Sequence, residues 1–439
     1  MARDKKDDRT RSVPRGRLSR LGGIGSLGAG IAGNMLVDGA RRLSRGERPS
    51  LQDLLLTPQN AGKAADQLSR LRGAAMKVGQ LVSLDNGDFL PPELADIMGR
   101  LRSSAHAMPP HQLKRVLNDN WGNDWRRKFE SFTVKPIAAA SIGQVHRGRT
   151  LDGRDVAIKV QYPGVRESID SDVDNVATLV RMSGLLPKNV DIRPVLEEAK
   201  TQLREEADYL REAAYLDRYR DALGGREGFL LPEAYGDLTT RDVLAMSFVS
   251  GDPIEKLGDM DQEARDSIMV RLMTLLLDEL LDLRLMQTDP NFANYFYDRD
   301  SDRIVLLDFG ATREIPQGLS DGYRRLLTAG LNADWDQARA VAITMGLMSD
   351  DLADEVETMI REVFVMAVEP LSVAGAYDFG ASDLAGRLSE KAMTLRKSGF
   401  DHIPPPVTIF LHRKIGGMYL LATRLKARVD LRALAQRYI

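Results

Sequence analysis

Four polar side chains that lie far apart in the sequence constrain the fold of this chain more than any other feature. Lys159 lies in an apolar run typical of a buried strand, and Asp289 is followed five residues later by Asn294. Asp308 comes directly after a second apolar run, residues 304–307. A lysine can neutralise phosphate oxygens as a point charge, and carboxylate and amide oxygens are ligands that suit Mg²⁺. The sequence therefore predicts a fold that assembles a phosphate and metal site from separate segments.

The surroundings of Lys159 predict its direction and its partner. Side chains alternate along a strand, so the apolar neighbours of Lys159 share one face and Lys159 lies on the other, toward a cleft. A long helix is expected over Val195–Leu223, in which Asp208 and Glu212 are four residues apart and share a face. We expect Glu212 to pair with Lys159, with Glu206 as the next candidate. The alternative is that these acids only form a solvated helix face.

The segments around the two aspartates correspond to the catalytic elements of protein kinases. Asp289–Asn294 has the D-x-x-x-x-N spacing, in which the aspartate accepts a hydroxyl proton or orients the acceptor and the asparagine binds Mg²⁺. Asp308-Phe309-Gly310 corresponds to the metal-holding D-F-G element. Each element is weak alone, but with Lys159 in its V-A-I-K run they occur together in the kinase order.

The arrangement of strands and helices predicts an α+β, bilobal protein-kinase-like fold with an N-terminal helical extension and a mainly α-helical C-lobe. Strands at Gln144–Leu151 and Asp155–Gln161 are joined by Asp152-Gly153, a strong hairpin signal. From Gln262 onward we expect helices, with one short strand at Ile304–Leu307. The predicted segments are a disordered basic tail (1–20), a glycine-rich helix (21–45), the helical extension (50–130), the N-lobe (131–250) and the C-lobe (251–439).

An alanine-rich segment replaces the glycine-rich loop that covers the phosphates in kinases. When Val145 is aligned with the valine of G-x-G-x-x-G-x-V, the first two glycine positions hold Ala138 and Ala140. A Cβ at these positions restricts φ and crowds a phosphate, so we expect a stiffer loop. The residues expected to contact nucleotide are Ala138, Ala139, Ala140, Ser141 and Gly143, together with Lys159. The alternative is that the alanines only begin a helix.

Several kinase elements are missing. Gln287-Thr288 precedes Asp289 in place of His-Arg, Asn291 stands where a lysine is usual, and no Ala-Pro-Glu follows Asp308. Protein substrates normally dock on the segment that ends in Ala-Pro-Glu. We therefore do not expect this chain to phosphorylate other proteins.

The N-terminal residues bear on location. Residues 21–37 carry a stripe of small residues flanked by arginines, typical of a helix that contacts a membrane or a second chain. A flexible linker is the alternative. The sequence contains no unbroken apolar run of about 18 residues, so it predicts no membrane-spanning helix. Asp4, Asp7 and Asp8 argue against a mitochondrial leader, because such leaders are poor in acidic residues. We expect a cytoplasmic protein, with peripheral attachment to a bacterial inner membrane as the alternative and a mitochondrial location ranked below both.

The composition excludes some functions. The net charge of −2 predicts no nucleic-acid partner. Because the chain has no cysteine, it has no disulfide, no thiolate metal site and no cysteine nucleophile.

Taken together, these residues resemble the UbiB family of atypical kinase-like proteins, which is tied to coenzyme Q biosynthesis. The family's KxGQ element appears as Lys77-Val78-Gly79-Gln80, its alanine-rich loop as 138–146 and its E-x-D element as Glu206-Ala207-Asp208. The resemblance runs from about Arg20 to the end of the chain and includes Leu411–Gly417.

The resemblance carries several implications. The helical extension would lie across the side where kinases bind a protein substrate, with Lys77 in contact with Glu206 and Asp208. ATP or ADP with Mg²⁺ would be the cofactors, and the chain would hydrolyse ATP and support ubiquinone synthesis at a membrane. The implied partners are adenine nucleotide, an anionic lipid membrane and quinone-biosynthesis proteins. Formation of a homodimer is a further alternative.

Two functions therefore compete. The first is an ATPase or phosphotransferase, which the metal ligands Asn294 and Asp308 favour. The second is a nucleotide-gated scaffold that binds lipid or protein without phosphoryl transfer, which the altered loop favours. A small-molecule kinase is a third, weaker alternative, because it gives no reason for the KxGQ element.

Overall fold

The computed structural model describes residues 41, 73–74, 77, 107–182, 193–289, 291–398, 402 and 404–439. The predicted tail at 1–20, nearly all of the glycine-rich segment and most of the helical extension, including Gln80, lie outside the described residues. By its contacts the chain divides into two compact units. Unit 1 comprises Met1–Ala213 and Ala234–Phe248, and unit 2 comprises Ala214–Glu233 and Val249–Ile439.

The strands are short, apart from the central hairpin of unit 1. In chain order they are β1 (Phe129–Phe132), β2 (Ala138–Ala139), β3 (Gly143–Thr150), β4 (Asp155–Gln161), β5 (Phe229–Leu230), β6 (Val243–Ser247), β7 (Asp252–Pro253), β8 (Leu285–Gln287), β9 (Tyr295–Asp298), β10 (Arg303–Leu306), β11 (Thr312–Glu314), β12 (Tyr377–Asp378) and β13 (Arg428–Val429).

Most of the described helices lie in unit 2. In chain order they are α1 (Pro110–Trp121), α2 (Val165–Met182), α3 (Arg193–Glu206), α4 (Tyr209–Ala222), α5 (Gln262–Leu281), α6 (Gln317–Leu331), α7 (Trp335–Thr344), α8 (Asp354–Ala367), α9 (Glu369–Ser372), α10 (Leu384–Lys397), α11 (Pro406–Leu425) and α12 (Leu431–Ala435). Short 3₁₀ helices lie at Trp125–Lys128, Ile254–Asp259, Phe292–Asn294 and Gln436–Tyr438.

Unit 1 is built on an antiparallel sheet in the order β1-β3-β4-β6, with β2 paired to β3. The predicted hairpin of β3 and β4 is confirmed, and Gly153 in its turn has a φ of 90°, which glycine adopts without strain. Val156, Ile158 and Val160 point into a core completed by Leu117 of α1 and by aromatic side chains. This alternation leaves Lys159 on the opposite face, as predicted.

The long helix predicted over Val195–Leu223 is wrong, because the structure has two helices, α3 and α4, with a break at Ala207–Asp208. The Ala207 carbonyl accepts hydrogen bonds from Gln161 and Arg166 instead of from a residue further along a helix. The Asp208 carboxylate accepts the Arg211 backbone N–H at 3.2 Å and so caps α4. Periodicity alone does not detect such a break, since the apolar pattern continues on both sides.

Unit 2 is mainly helical, but the expectation of a single strand in it is wrong. A sheet in the order β5-β10-β9-β7 and a pair formed by β8 and β11 accompany the helices. These strands have two to four residues each, which is too few for a recognisable alternation. The β8–β11 pair frames the site, since Gln287 at the end of β8 lies opposite Thr312, just after the D-F-G element.

The long helices of unit 2 begin and end at recognisable signals. Asp261 caps α5 by accepting the Ala264 N–H at 2.8 Å. Lys426, in the left-handed region with φ 51°, ends α11. Among the described helices, none is both long enough and apolar enough to cross a membrane.

Candidate nucleotide site

The predicted ion pair between Lys159 and Glu212 is confirmed. The Lys159 ammonium donates to both carboxylate oxygens, at 2.9 and 3.0 Å. β4 supplies the lysine and the first turn of α4 supplies the glutamate. The lysine side chain is 11% exposed and the glutamate side chain 2%. The ammonium also lies 5.2 Å from the centre of the Tyr209 ring, within the range of a cation–π contact.

The alanine-rich segment is a strand and a tight turn, so the alternative that it begins a helix is wrong. Ala138 and Ala139 pair with Val145 and Gln144 of β3, and the Ala140 N–H donates to the Gly143 carbonyl at 2.9 Å. Gly143 cannot be replaced without a shift of the backbone, because a Cβ there would lie 2.4 Å from the Val160 carbonyl oxygen. The loop is therefore held closely against β4, the strand that carries Lys159.

A carboxylate ties this loop to the KxGQ segment. One oxygen of Glu206 accepts the Ser141 hydroxyl at 3.0 Å, and the other accepts the ammonium of the buried Lys77. One helical turn before Lys77, a Cβ on Gly73 would lie 2.8 Å from the Ile142 side chain. The contact of Lys77 with Glu206 that the resemblance implied is confirmed.

Asp208 has other partners than the resemblance implied. Its carboxylate caps α4 and lies 3.9 Å from Arg241 Nε. The two acids of the E-x-D element thus have different roles. Glu206, the last residue of α3, binds Ser141 and Lys77, whereas Asp208 caps α4.

Unit 2 brings the three remaining predicted residues together around the ends of β8, β9 and β10. The Asn294 amide nitrogen donates to Asp289 Oδ2 at 3.2 Å, which leaves the amide oxygen for another ligand. Asp308 accepts the Gly310 N–H on Oδ1 at 3.0 Å. The Leu307 N–H donates to the Asn294 carbonyl at 3.2 Å, so the backbones that carry Asn294 and Asp308 are joined directly.

These oxygens fit Mg²⁺. That ion is usually held by one or two protein oxygens, with phosphates and water completing its octahedron. Asp308 and Asn294 supply one carboxylate and one amide oxygen. Within the part of the chain that the structure describes, no group of three or more histidine, aspartate or glutamate side chains could form a metal cage by itself. Asp308 and Asn294 would thus leave the other positions of the ion to phosphate and water.

Comparison with known proteins identifies the family. Residues 100–342 match the ABC1 atypical kinase-like domain. The chain belongs to this family. It is 36% identical to the atypical kinase COQ8B, mitochondrial, of Danio rerio over 96% of this chain and 68% of that protein. It is 35% identical to the atypical kinase COQ8, mitochondrial, of Saccharomyces cerevisiae over 97% of this chain and 85% of that protein.

A solved structure supports the same relationship. Rv3197 of Mycobacterium tuberculosis, in complex with erythromycin, is 27% identical with a TM-score of 0.60, covering 87% of this chain and 97% of that chain. The expected α+β kinase-like fold and the expected atypical kinase of the coenzyme Q group are confirmed by the family and its COQ8 relatives. A kinase-like fold of this type binds ATP or ADP with Mg²⁺.

The expected location is wrong. The acidic residues near the N-terminus favour a cytoplasmic location over a mitochondrial one. The COQ8 relatives of Danio rerio, Saccharomyces cerevisiae and Caenorhabditis elegans are mitochondrial proteins. The acidic residues in 1–20 were too small a signal to decide the location.

One buried group of this ABC1-family chain was missed by the sequence analysis. Lys414 on α11 donates to Glu279 of α5 and, at 2.8 Å, to the Gln287 carbonyl at the end of β8. Burial lowers the pKa of Lys414 and raises the pKa of Glu279, and each charge opposes the shift of the other. The only signal in the sequence is this lysine within the quoted Leu411–Gly417 segment of α11.

Proposed function

We propose that this chain is a Mg²⁺-dependent ATPase or phosphotransferase of coenzyme Q synthesis. The order of the kinase elements along the sequence assigns Lys159 and Glu212 to the phosphates of the nucleotide and Asp289, Asn294 and Asp308 to catalysis and metal binding. The observation that carries the proposal is the lysine held by both oxygens of Glu212 at 2.9 and 3.0 Å. A chain that never transferred a phosphoryl group would have no need of this pair and of two metal ligands together.

Each residue then has a defined task. Lys159 neutralises α- and β-phosphate oxygens. Asp308 and the Asn294 amide oxygen would hold Mg²⁺, which when bound would neutralise charge on the phosphates. As the acceptor oxygen bonds to the γ-phosphorus and the bridge to the β-phosphate breaks, Asp289 takes the acceptor's proton. The hydrogen bond from Asn294 orients Asp289 for this step.

The acceptor that we propose is water or a small hydroxyl compound. The segment on which protein substrates dock in ordinary kinases has no Ala-Pro-Glu in this chain. A phenolic quinone precursor is the acceptor class to test first, in view of the COQ8 relatives.

The test uses the purified full chain. The parent protein should hydrolyse Mg·ATP and should be stabilised against heat by it. Asp308→Asn should lose most of that stabilisation, whereas Asp289→Asn should keep it and lose turnover by about 100-fold or more. Asp321→Asn, on an exposed position of α6, is the control and should match the parent. A parent protein that binds Mg·ATP but does not turn it over would contradict the proposal.

That last result would favour a nucleotide-gated scaffold. The observation on its side is the pair of contacts that Glu206 makes, with Ser141 of the alanine loop and with Lys77. These contacts couple the loop to the KxGQ segment, so a nucleotide that moves the loop would be sensed there.

We further propose that residues 21–37 bind an anionic lipid surface. The support is the stripe of small residues between arginines on both sides. Removal of the residues before Ala40 should leave a folded, nucleotide-binding protein that sediments less with anionic vesicles. Unchanged sedimentation, or a loss of self-association alone, would instead support a linker or a dimer contact.

A further inference from the structure

The buried Lys414 holds the backbone that leads into the catalytic loop. Its side chain is 1% exposed in the middle of α11, and its ammonium donates to the Gln287 carbonyl at 2.8 Å and to Glu279 Oε2. Gln287 stands two residues before Asp289. A backbone carbonyl held by a charged donor is fixed more firmly than one in a neutral hydrogen bond.

The carboxylate that holds Lys414 is itself fixed on its other side. Tyr219 donates its hydroxyl to Glu279 Oε1 at 2.9 Å. The Tyr219 ring packs at 4.9 Å from the ring of Phe309, the phenylalanine of the D-F-G element. The ion pair is thus bound to both segments of unit 2 that carry the proposed site.

The side chain of Gln287 adds no hydrogen bond to this support within the described residues. Its side chain is buried, and neither polar atom of its amide has a hydrogen-bond partner among the described residues. A cavity of about 10 Å³ next to it is also lined by Asn294 and Asp308. The position of the loop backbone therefore depends on its carbonyl contact with Lys414, on the short β8–β11 pair, and on Thr288, whose N–H and hydroxyl donate to the Ala311 carbonyl at 3.1 and 2.7 Å.

Stability alone is a weak reason for such a pair. Buried ion pairs can be replaced by apolar residues of similar volume at little or no cost to stability. The feature that an apolar pair could not reproduce is the charged donor on the Gln287 carbonyl.

We propose that Lys414 is a positioning residue that, held by Glu279, fixes Gln287 and thereby aims Asp289 at the acceptor. The inference rests on the proposed phosphoryl-transfer function. Lys414 touches neither nucleotide nor acceptor and acts through the backbone of the loop.

The test removes both charges at once. Glu279→Gln/Lys414→Met leaves no unpaired buried charge, so the protein should fold, but the Gln287 carbonyl loses its charged donor. Turnover of Mg·ATP should fall by about 10- to 100-fold, since small misplacements of catalytic groups cost this much. Nucleotide affinity should stay within about threefold of the parent value, because the change acts on the transition state. Lys391→Met, which breaks the partly exposed pair with Glu362 in the same unit, is the matched control and should leave both values unchanged.

A second readout does not depend on turnover. Amide hydrogen exchange in residues 285–296 should become about tenfold faster in the double variant and stay unchanged in Lys391→Met, because a loosened loop opens more often. This measurement separates the two hypotheses. A parent protein without turnover refutes the proposed function, while the exchange rates still decide whether Lys414 holds the loop.

Several results would overturn the inference. One is a folded double variant with the turnover and exchange of the parent, and another is a loss of nucleotide affinity as large as the loss of turnover. A double variant that does not fold would also overturn it, because Lys414 would then serve folding rather than positioning.

Discussion

Two of the buried lysine–glutamate pairs, one in each unit, differ in what the ammonium holds besides its carboxylate. In unit 1, Lys159 gives hydrogen bonds to both oxygens of Glu212 and is the more exposed lysine, at 11%. In unit 2, Lys414 gives one hydrogen bond to Glu279 and one to a backbone carbonyl, and is 1% exposed. The first lysine remains reachable for a ligand, whereas the second is committed to the protein.

This difference shows how the same two residue types serve different ends. A partly exposed ammonium can exchange part of its contact with a carboxylate for phosphate oxygens. An ammonium that is enclosed on all sides cannot, so its charge acts only on the groups that surround it. Stability measurements and nucleotide binding should therefore separate the two pairs.

The largest effect is expected for Lys414→Met alone. It leaves the Glu279 carboxylate buried without its cation, which costs about 3–5 kcal/mol of unfolding free energy. Urea denaturation measures this cost, and adding Glu279→Gln should recover most of it. A cost no larger than that of Lys391→Met would show that the Lys414 pair is not the buried charge pair described here.

A buried base on the same helix as Lys414 should make unit 2 sensitive to acid. Burial lowers the pKa of His412 to about 4, so the unfolded chain takes up a proton near pH 6.5 that the folded chain refuses until pH 4. The contribution of His412 to the unfolding free energy should be complete above pH 6.5 and should fall by about 3 kcal/mol as the pH drops toward 4.

Urea denaturation across this range tests the prediction. His412→Asn should flatten the decline between pH 6.5 and 4 relative to the parent. His146 in unit 1, whose pKa is also lowered by burial, contributes a decline of the same sign and should account for part of what remains. A decline equally steep in His412→Asn would mean that this histidine is protonated in the folded chain.

A smaller loss of stability is expected for Lys159→Met, about 1–3 kcal/mol, because a water can reach the place of the more exposed ammonium. The same variant should lose its stabilisation by Mg·ATP, which Lys414→Met combined with Glu279→Gln should keep. Thermal unfolding with and without Mg·ATP gives both values. If both lysine variants kept the stabilisation, the distinction between a ligand lysine and a positioning lysine would fail.

The smallest effect is a change in ATP affinity, expected for Ala140→Gly at the turn between β2 and β3. Removing the methyl group frees φ and reduces crowding against a phosphate, which should tighten ATP binding by about 1 kcal/mol. Adding Lys77→Ala should increase the gain, because it releases Glu206 from the KxGQ segment. Equal affinities in the parent and both variants would show that this loop does not contact phosphate.

The sequence located elements well where a pattern was long enough. The hairpin of β3 and β4 follows from its alternation and its Asp-Gly turn, and the positions of Asp289 and Asp308 follow from spacing. It failed for strands of two to four residues such as β8 and β11, which form because neighbouring segments pair with them. It also missed the break at Ala207–Asp208, where side chains of Gln161 and Arg166 bind the backbone.

The sequence by itself determined the family, the lysine and its glutamate partner, and the aspartates and asparagine of the proposed site, because order and spacing along the chain carry that information. Only the tertiary structure showed that Ser141 and Lys77 share Glu206, that Asp208 caps a helix instead, and that Lys414 reaches Gln287 from 127 residues away. Such contacts depend on how distant helices and strands pack. A lysine in an apolar helix gives no sign in the sequence of which buried carboxylate or carbonyl it will meet.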